Sequence, residues 1–392
     1  MKLSRPAALI AAAAATVATT LPATSAPALA GTTDTRVAAT AADGSCAVRT
    51  MKPYVGGATS RGAFKTGTVQ AQATAAVAVR VDWAALEPTA GAYTFAPIDA
   101  EVATARAQGK QVRLRVLAGT QAPAYAKAIG GAPLPYMDHT EGGQNTIGRF
   151  WTPAYQARWQ MLMQKLAARY DGDSAVREVN IGGTGAISAE VFLLMPNDTV
   201  GDGRTNKQVL VDAGMTDTAR MSALRGDIAF MQRTWPRTHT TLWVHPIQTL
   251  AKRGGDLEAT EALVDEVYRA APGRTVFGHT GTSEDMLRGR THPDTRLMYS
   301  FLVARRYPFT LQTQSYSGGA VNEGVGNLSY IVAWARANRV MGVELPSGFQ
   351  TDASYGTTLT SALPQASKVL RSNAALADLA TLAANKAAYR CR

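Results

Sequence analysis

Apolar residues recur along this chain in two rhythms. Short runs of alternating or continuous apolar character, bounded by turn-forming residues, predict strands at Lys52–Ala58, Ala76–Trp83, Gln111–Ala118, Val176–Gly183, Thr241–Gln248, Thr275–Thr280, Phe309–Tyr316 and Val340–Leu345. Between most of them the apolar spacing lengthens to three and four. It predicts helices at Ile98–Gln108, Pro153–Tyr170, Thr218–Thr234, Leu257–Ala270, Thr295–Arg306, Leu328–Asn338 and Leu363–Leu370. Strands that alternate with helices imply parallel βα units, and eight such units close a (β/α)8 TIM barrel. An open doubly wound sheet is the alternative. It usually carries a Gly-rich phosphate loop after its first strand, and neither GxGxxG nor GxxxxGK[ST] occurs here.

The strands carry a second pattern. In several of them one parity is apolar and the other polar: Arg80 and Asp82 against Val79 and Val81, Arg113 and Arg115 against Val112, Leu114 and Val116, Glu178 and Asn180 against Val179 and Ile181. His245 shares the parity of Trp243, Gln312 and Gln314 that of Tyr316, and Glu344 that of Gly342. In a barrel the apolar parity faces the helices and the other faces the axis. The inner wall is therefore expected to be ionisable, and buried charges there must pair or meet solvent. Arg113 and Glu178, low in the barrel, read as a structural pair. Residues at strand C-terminal ends read as functional, because barrel sites are built there. These are Asp82, Trp83, Arg115, His245, His279, Gln314, Tyr316 and Glu344.

The first thirty residues stand apart from this pattern. Lys2 and Arg5 precede an Ala-rich stretch, and Ala28-Leu29-Ala30 closes it with small residues at alternate positions, the form of a secretory signal peptide. Residues 1–30 are thus expected to be removed, residues 31–45 to be a flexible leader, and residues 46–392 to form a single barrel domain that is exported. No further stretch is apolar for the length of a membrane span. The formal net charge is +11 for the full chain and becomes +9 without Lys2 and Arg5. The excess is dispersed rather than clustered, which points away from nucleic acid. Cys46 and Cys391 lie near the two ends of the mature chain, and an oxidising compartment makes a disulfide between them plausible.

One segment is more specific. Arg80, Trp83, Leu86-Glu87-Pro88, Gly91, Tyr93, Phe95, Ile98-Asp99 and Gly109-Lys110 follow one another at the spacing of a second βα unit that resembles the retaining glycosidases of the β-galactosidase and cellulase-like superfamily. Trp151 through Tyr170 is similar to the helix before their fourth strand. The resemblance implies a TIM barrel, an O-glycosyl hydrolase activity on a poly- or oligosaccharide, no cofactor, and an arginine, Arg80, that orients an active-site carboxylate. It also implies an acid that follows Asn at the end of strand four and a nucleophilic Glu that ends strand seven. This chain departs at both places: Asn180 is followed by Ile181, and strand seven ends in Gln312 and Gln314.

Glycoside hydrolysis usually needs two carboxyl groups that flank the scissile bond. The nearest candidates are Glu190, in the loop after strand four, expected as general acid or else as a helix-start carboxylate, and Glu344, at the end of strand eight, expected as base or nucleophile or else as a structural partner for Arg80 or Arg115. Their placement on opposite sides of a ring suits an inverting separation of roughly 6.5–9.5 Å. Arg80, Asp82, Trp83, Arg115, His245, His279, Gln314 and Tyr316 are the expected substrate-binding residues. Trp151 and Trp243 could stack on sugar as well, or belong to the core. The loop Tyr136–Glu141 holds potential ligands at a spacing that fits no defined metal site, so no metal is expected. Neither a GxSxG elbow nor a Cys–His pair away from the termini is present. A second reading is a catalytically inactive barrel that binds glycan at the cell surface. The expected partner is a carbohydrate in either case, the expected oligomeric state a monomer.

Overall fold

The computed structural model describes residues 55–56, 75–138, 143–187, 189–193, 198–252, 254–313 and 326–345. Cys46, Cys391, Gln314, Tyr316, residues 1–45 and the expected helix at 363–370 lie outside the described residues. The chain order starts with β1 (Val55–Gly56) and β2 (Ala76–Asp82), which runs into the one-turn helix α1 (Trp83–Leu86) and then α2 (Ala96–Ala107). After β3 (Gln111–Leu117) come the short α3 (Ala124–Lys127) and an antiparallel hairpin of β4 (Leu134–Asp138) and β5 (Gly143–Ile147). Helix α4 (Pro153–Tyr170) leads to β6 (Val176–Asn180), a long loop, α5 (Asn206–Asp212) and α6 (Asp217–Thr234). Strand β7 (His239–Trp243) precedes a small hairpin, β8 (Ile247–Gln248) and β9 (Gly255–Asp256), and then α7 (Leu257–Ala270). The remainder is β10 (Thr275–Thr282), α8 (Glu284–Leu287), α9 (Pro293–Arg305), β11 (Phe309–Thr313), α10 (Leu328–Ala337) and β12 (Gly342–Glu344).

Eight of these strands form one sheet in the order β1-β12-β11-β10-β7-β6-β3-β2, and every pairing is parallel. The sheet is strongly curled. Strands β3 and β12 are separated in that order by four others, which in a flat sheet means roughly 24 Å. Yet Arg115 of β3 donates to Glu344 of β12 at 2.7 Å. The two flanks of the sheet therefore face one another across a filled interior. The end strands β1 and β2 approach within 8 Å between Cα atoms, but no ladder joins them among the described residues. The fold is thus mixed α/β around a curled parallel sheet, and a hydrogen-bonded ring of eight goes further than the described ladders.

The two parities separate as the alternation requires. Val77, Val79, Val81, Leu114, Val116, Val179, Leu242, Phe277, Leu311 and Val343 share one apolar core with Val102, Leu162, Leu166, Leu224, Leu263, Met298, Leu302 and Ile331 of the helices. Trp243, on the opposite parity of β7, belongs instead to a small separate cluster with Leu117 and Ala189. The helices start where the sequence provides for it. Pro153 and Pro293 occupy the first helical position of α4 and α9. Thr205 and Gln208 make a capping box on α5, and the Asp256 carboxylate accepts from the Ala259 amide to open α7.

Several expected strands overran their ladders, two of them for plain physical reasons. Ala76–Trp83 stops at Asp82, since Trp83 turns inward to begin α1. Thr241–Gln248 covers the end of β7 and all of β8 but is interrupted around Pro246, whose ring nitrogen has no proton to give a ladder.

Candidate functional site

Below the carboxyl ends of the strands, the inner wall holds a closed ionic layer. Arg113 donates from Nε to Glu178 at 2.6 Å, from Nη1 to Glu344 at 3.3 Å and from Nη2 to the Thr310 hydroxyl at 3.2 Å. Arg115 grips Glu344 with both terminal nitrogens, at 3.2 and 2.7 Å. Thr241 adds a hydroxyl bond to Glu178 at 3.0 Å. Two cations thus meet two anions, and all four side chains are buried. The Trp243 ring packs against this layer, with the Arg113 and Arg115 guanidinium carbons 4.7 and 4.9 Å from its centroid. Gly278 leaves room for it: a Cβ there would stand 2.7 Å from Trp243 Cε3.

Glu344, one of the two expected catalytic carboxyls, is a member of this layer. It has no exposed surface, and both its oxygens accept from guanidinium groups. Arg115, an expected substrate-binding residue, is bound into the same layer and 3% exposed. Asn180 is fully buried and pairs with the Val116 backbone, accepting from its amide at 2.7 Å and donating to its carbonyl at 3.2 Å. Arg80 and Asp82 stand half-buried on β2. Trp83 is packed among aromatic rings rather than open to a sugar. Its centroid lies 5.4 Å from Tyr155 and 5.5 Å from Trp159, and its indole N–H donates to Glu87 at 3.0 Å.

Above the ionic layer, Glu190, His245 and His279 converge. Glu190 comes from the loop after β6, which is folded into a tight hairpin. Ala186 donates to the Phe192 carbonyl at 2.8 Å, Thr120 donates to the Ala186 carbonyl at 2.9 Å, and Val191 donates to the Trp243 carbonyl at 3.3 Å. Buried Arg220 of α6 donates to the Val191 carbonyl at 2.5 Å and to the Gln248 carbonyl. Gly185 is required in this loop, because a Cβ would fall 2.1 Å from the Glu190 carbonyl oxygen. The Glu190 carboxyl accepts from the Thr280 amide at 2.7 Å, at the end of β10. Unlike Glu178 and Glu344, it has no ion pair among the described residues.

The two histidines bond one another, His279 Nε2 to His245 Nδ1 at 2.7 Å, with ring centroids 4.7 Å apart. Phe192 meets His245 edge-on at 5.0 Å, and Tyr299 of α9 meets His279 edge-on at 6.0 Å. His279 Nδ1 is buried with no partner. A buried bare nitrogen costs less than a buried unpaired N–H, so the tautomer that fits has the proton on Nε2, donated to His245.

Burial dominates the electrostatics of all three groups. It pushes the Glu190 carboxyl up to about 7, against the pull of the Thr280 hydrogen bonds and the Arg115 charge. It takes His245 down to about 4, with the charge of His292 acting the same way, and it takes His279 well below the ordinary imidazole range. Near neutral pH the site therefore holds two uncharged imidazoles and a carboxyl poised between its two forms. One ligand atom from each residue lies within 4.8 Å of the other two, so the three side chains have the reach to share a metal ion. The sequence reading expected no metal here, because Glu190, His245 and His279 are far apart along the chain and only the fold unites them.

The Thr280 amide, Phe192, Tyr299 and Arg220 were not anticipated. Arg220 carried a readable signal: with Leu224, Asp227, Ile228 and Met231 it falls on the buried stripe of α6, where a charge needs a reason. The Thr280 amide carried none, being backbone.

No protein-family model matches the chain, and no curated protein matches it. Among solved structures it is similar to an endo-β-1,4-glucanase from Xanthomonas axonopodis pv. citri, at 13% identity over 82% of this chain and 99% of that one, TM-score 0.46. It is also similar to endo-glycoceramidase II from a Rhodococcus species, at 15% identity over 76% of this chain and 73% of that one, TM-score 0.45. A third structure, a glycoside hydrolase, shares 11% identity over 81% of this chain and 99% of that one, TM-score 0.49. These neighbours are all glycoside hydrolases, at low identity. Likeness at this level leaves the chemistry of the mouth to be argued from its own residues.

Proposed function

We propose that the chain is an exported glycoside hydrolase-like protein, that its curled sheet closes as a (β/α)8 barrel, and that a poly- or oligosaccharide binds at the carboxyl-end mouth. The carbohydrate comes from the sequence resemblance over the β2–α2 unit. The position of the chemistry comes from one observation: Glu190 is a carboxyl at the strand ends, set on a pinned hairpin and fixed by Thr280 rather than by a guanidinium. A carboxyl held in this way can give a proton to a leaving oxygen and take it back. Burial, which favours its neutral form, supports the role. Asp82, half-buried at the end of β2, and Arg115 belong to the same end of the sheet.

Hydrolysis also needs a second carboxyl or another nucleophile. Glu344 was expected there, and its complete burial under three guanidinium bonds favours the second reading, a barrel that binds glycan without cleaving it. The two readings part on turnover. Wild type and Glu190→Gln are compared on a panel of aryl glycosides and cell-wall polysaccharides, with binding followed separately by affinity electrophoresis. Hydrolysis by the wild type that falls about 100-fold or more in the variant supports the acid role. Equal hydrolysis removes Glu190 from the chemistry. Retarded migration in glycan with no turnover supports the binding barrel, and the absence of both ends the carbohydrate reading.

A further inference from the structure

We infer that Glu190, His245 and His279 form a binding site for a divalent cation of the zinc class. The inference stands on geometry and does not depend on whether sugar is cleaved.

Three features carry it. The first is the donor set: two imidazoles and one carboxylate, from β10, the segment after β7 and the loop after β6, with one ligand atom each inside a 4.8 Å envelope. Two nitrogens and an oxygen suit zinc and its first-row neighbours, whereas magnesium and calcium prefer oxygen alone. The second is the state of the rings. His279 is 1% exposed, and among the described residues its ring bonds only to another imidazole. A buried ring held only by another imidazole calls for an explanation, and ligation through the two facing nitrogens supplies one, with the ring proton of His279 then on Nδ1. The third is the surrounding support. The Thr280 amide already orients the carboxylate, as outer partners of metal ligands do, while Phe192 and Tyr299 set the faces of the two rings.

The adjustment required is small. Two nitrogens on one tetrahedral zinc stand roughly 3.3 Å apart, given Zn–N bonds of about 2.0–2.1 Å. The bonded nitrogens of His245 and His279 stand 2.7 Å apart. A cation that took both would replace their hydrogen bond and part the rings by about half an ångström. Three protein ligands leave a fourth position for water or a substrate hydroxyl. The carboxylate that binds the cation is also the one that would carry a catalytic proton, so the bound cation and general-acid catalysis by Glu190 exclude one another.

The test uses the full chain stripped with chelator and then dialysed. Zinc chloride is titrated in by calorimetry, and cobalt(II) chloride by visible absorbance. One zinc per chain is expected, with cobalt giving the intense visible bands of a four- or five-coordinate site. His245→Asn, at a half-buried position, and Glu190→Gln should each weaken zinc at least about 10-fold. Loss of an outer partner alone commonly costs 10–100-fold, and these are direct ligands. His279→Asn is read alongside them, with circular dichroism to confirm its fold. Failure of wild type to bind, or binding of equal strength in His245→Asn and Glu190→Gln, overturns the site. Zinc binding by a protein that shows no glycosidase turnover when metal-free sinks the hydrolytic reading and leaves the site standing. In an active protein, turnover unchanged at saturating zinc sinks either the ligand role or the acid role of Glu190, and the zinc affinity of Glu190→Gln says which.

Discussion

At the scale of single residues, the molecule divides its acids by partner. Glu344 and Glu178 are locked to Arg113 and Arg115, while Glu190 is bound to an amide. The first kind holds the interior together, and its removal has a predictable sign. Glu344→Gln keeps the shape but replaces an anion with a neutral amide between two buried guanidiniums. Breaking one side of a buried ion pair leaves the other charge uncompensated, a cost of about 3–5 kcal/mol. Chemical denaturation of wild type and Glu344→Gln should show a loss of that order. A loss under about 1 kcal/mol would mean that water reaches Arg115 and the interior is open. Lone charged positions on the strands were legible from alternation alone, and the pairing of Arg113 with Glu178 followed from their low position. The attachment of Glu344 to Arg115 was legible only as an alternative to Arg80 and to a catalytic role. It depends on β3 and β12 meeting across the curl, a contact between residues far apart in sequence.

Elements were legible where one rhythm ran without interruption. The eight strands and the long helices α4, α6 and α7 fall where apolar spacing places them, and strands β2, β3, β6, β7, β10, β11 and β12 share one core with those helices. The hairpin β4–β5 hid because its strand pattern is short and mostly polar, with Gly143, Gln144, Asn145 and Thr146 in one arm. Helix α5 hid for its length, although Thr205 and Gln208 stand at capping-box spacing. The hairpin that carries Glu190 is built from small residues whose constraint is backbone proximity, which no periodicity records. Strand β10 illustrates the same limit. Gly278 reads as a weak point in a strand, yet it is the position that admits Trp243. Gly278→Ala puts a methyl 2.7 Å from Trp243 and 3.1 Å from the Thr310 methyl. Overpacking of this kind costs about 1–3 kcal/mol. A thermal melt of Gly278→Ala should drop by several degrees, and near-ultraviolet circular dichroism should report a displaced tryptophan. An unchanged melt and spectrum would show that β10 gives way freely.

At the scale of the whole molecule, one buried acid ties the outer helices to the site. Asp227 of α6 accepts from the Trp159 indole of α4 at 3.1 Å and from the Gly183 amide, in the loop that leads to Glu190, at 3.1 Å. Tyr155 of α4 lies close enough to feel its charge, and no cation pairs with Asp227 among the described residues. Burial pushes its carboxyl up to about 7, against the lowering effect of its two hydrogen bonds, whereas an unfolded aspartate titrates near 3.9. Between those values the folded chain holds a proton that the unfolded chain has released. Stability from this group is therefore fully present below about pH 4 and is lost as pH rises through 7. The loss across that window should be on the order of a few kcal/mol. Asp227→Asn cannot titrate. It leaves one of the two donors facing an amide NH2, which adds a pH-independent cost of about 1–3 kcal/mol. Urea unfolding of both proteins at intervals from pH 4 to pH 8 separates the terms. The wild type should lose ground to Asp227→Asn as pH rises, so the gap between the curves closes or reverses near pH 8. Parallel curves would mean that water or a cation reaches the carboxyl, and that the junction of α4, α6 and the Glu190 loop is not sealed.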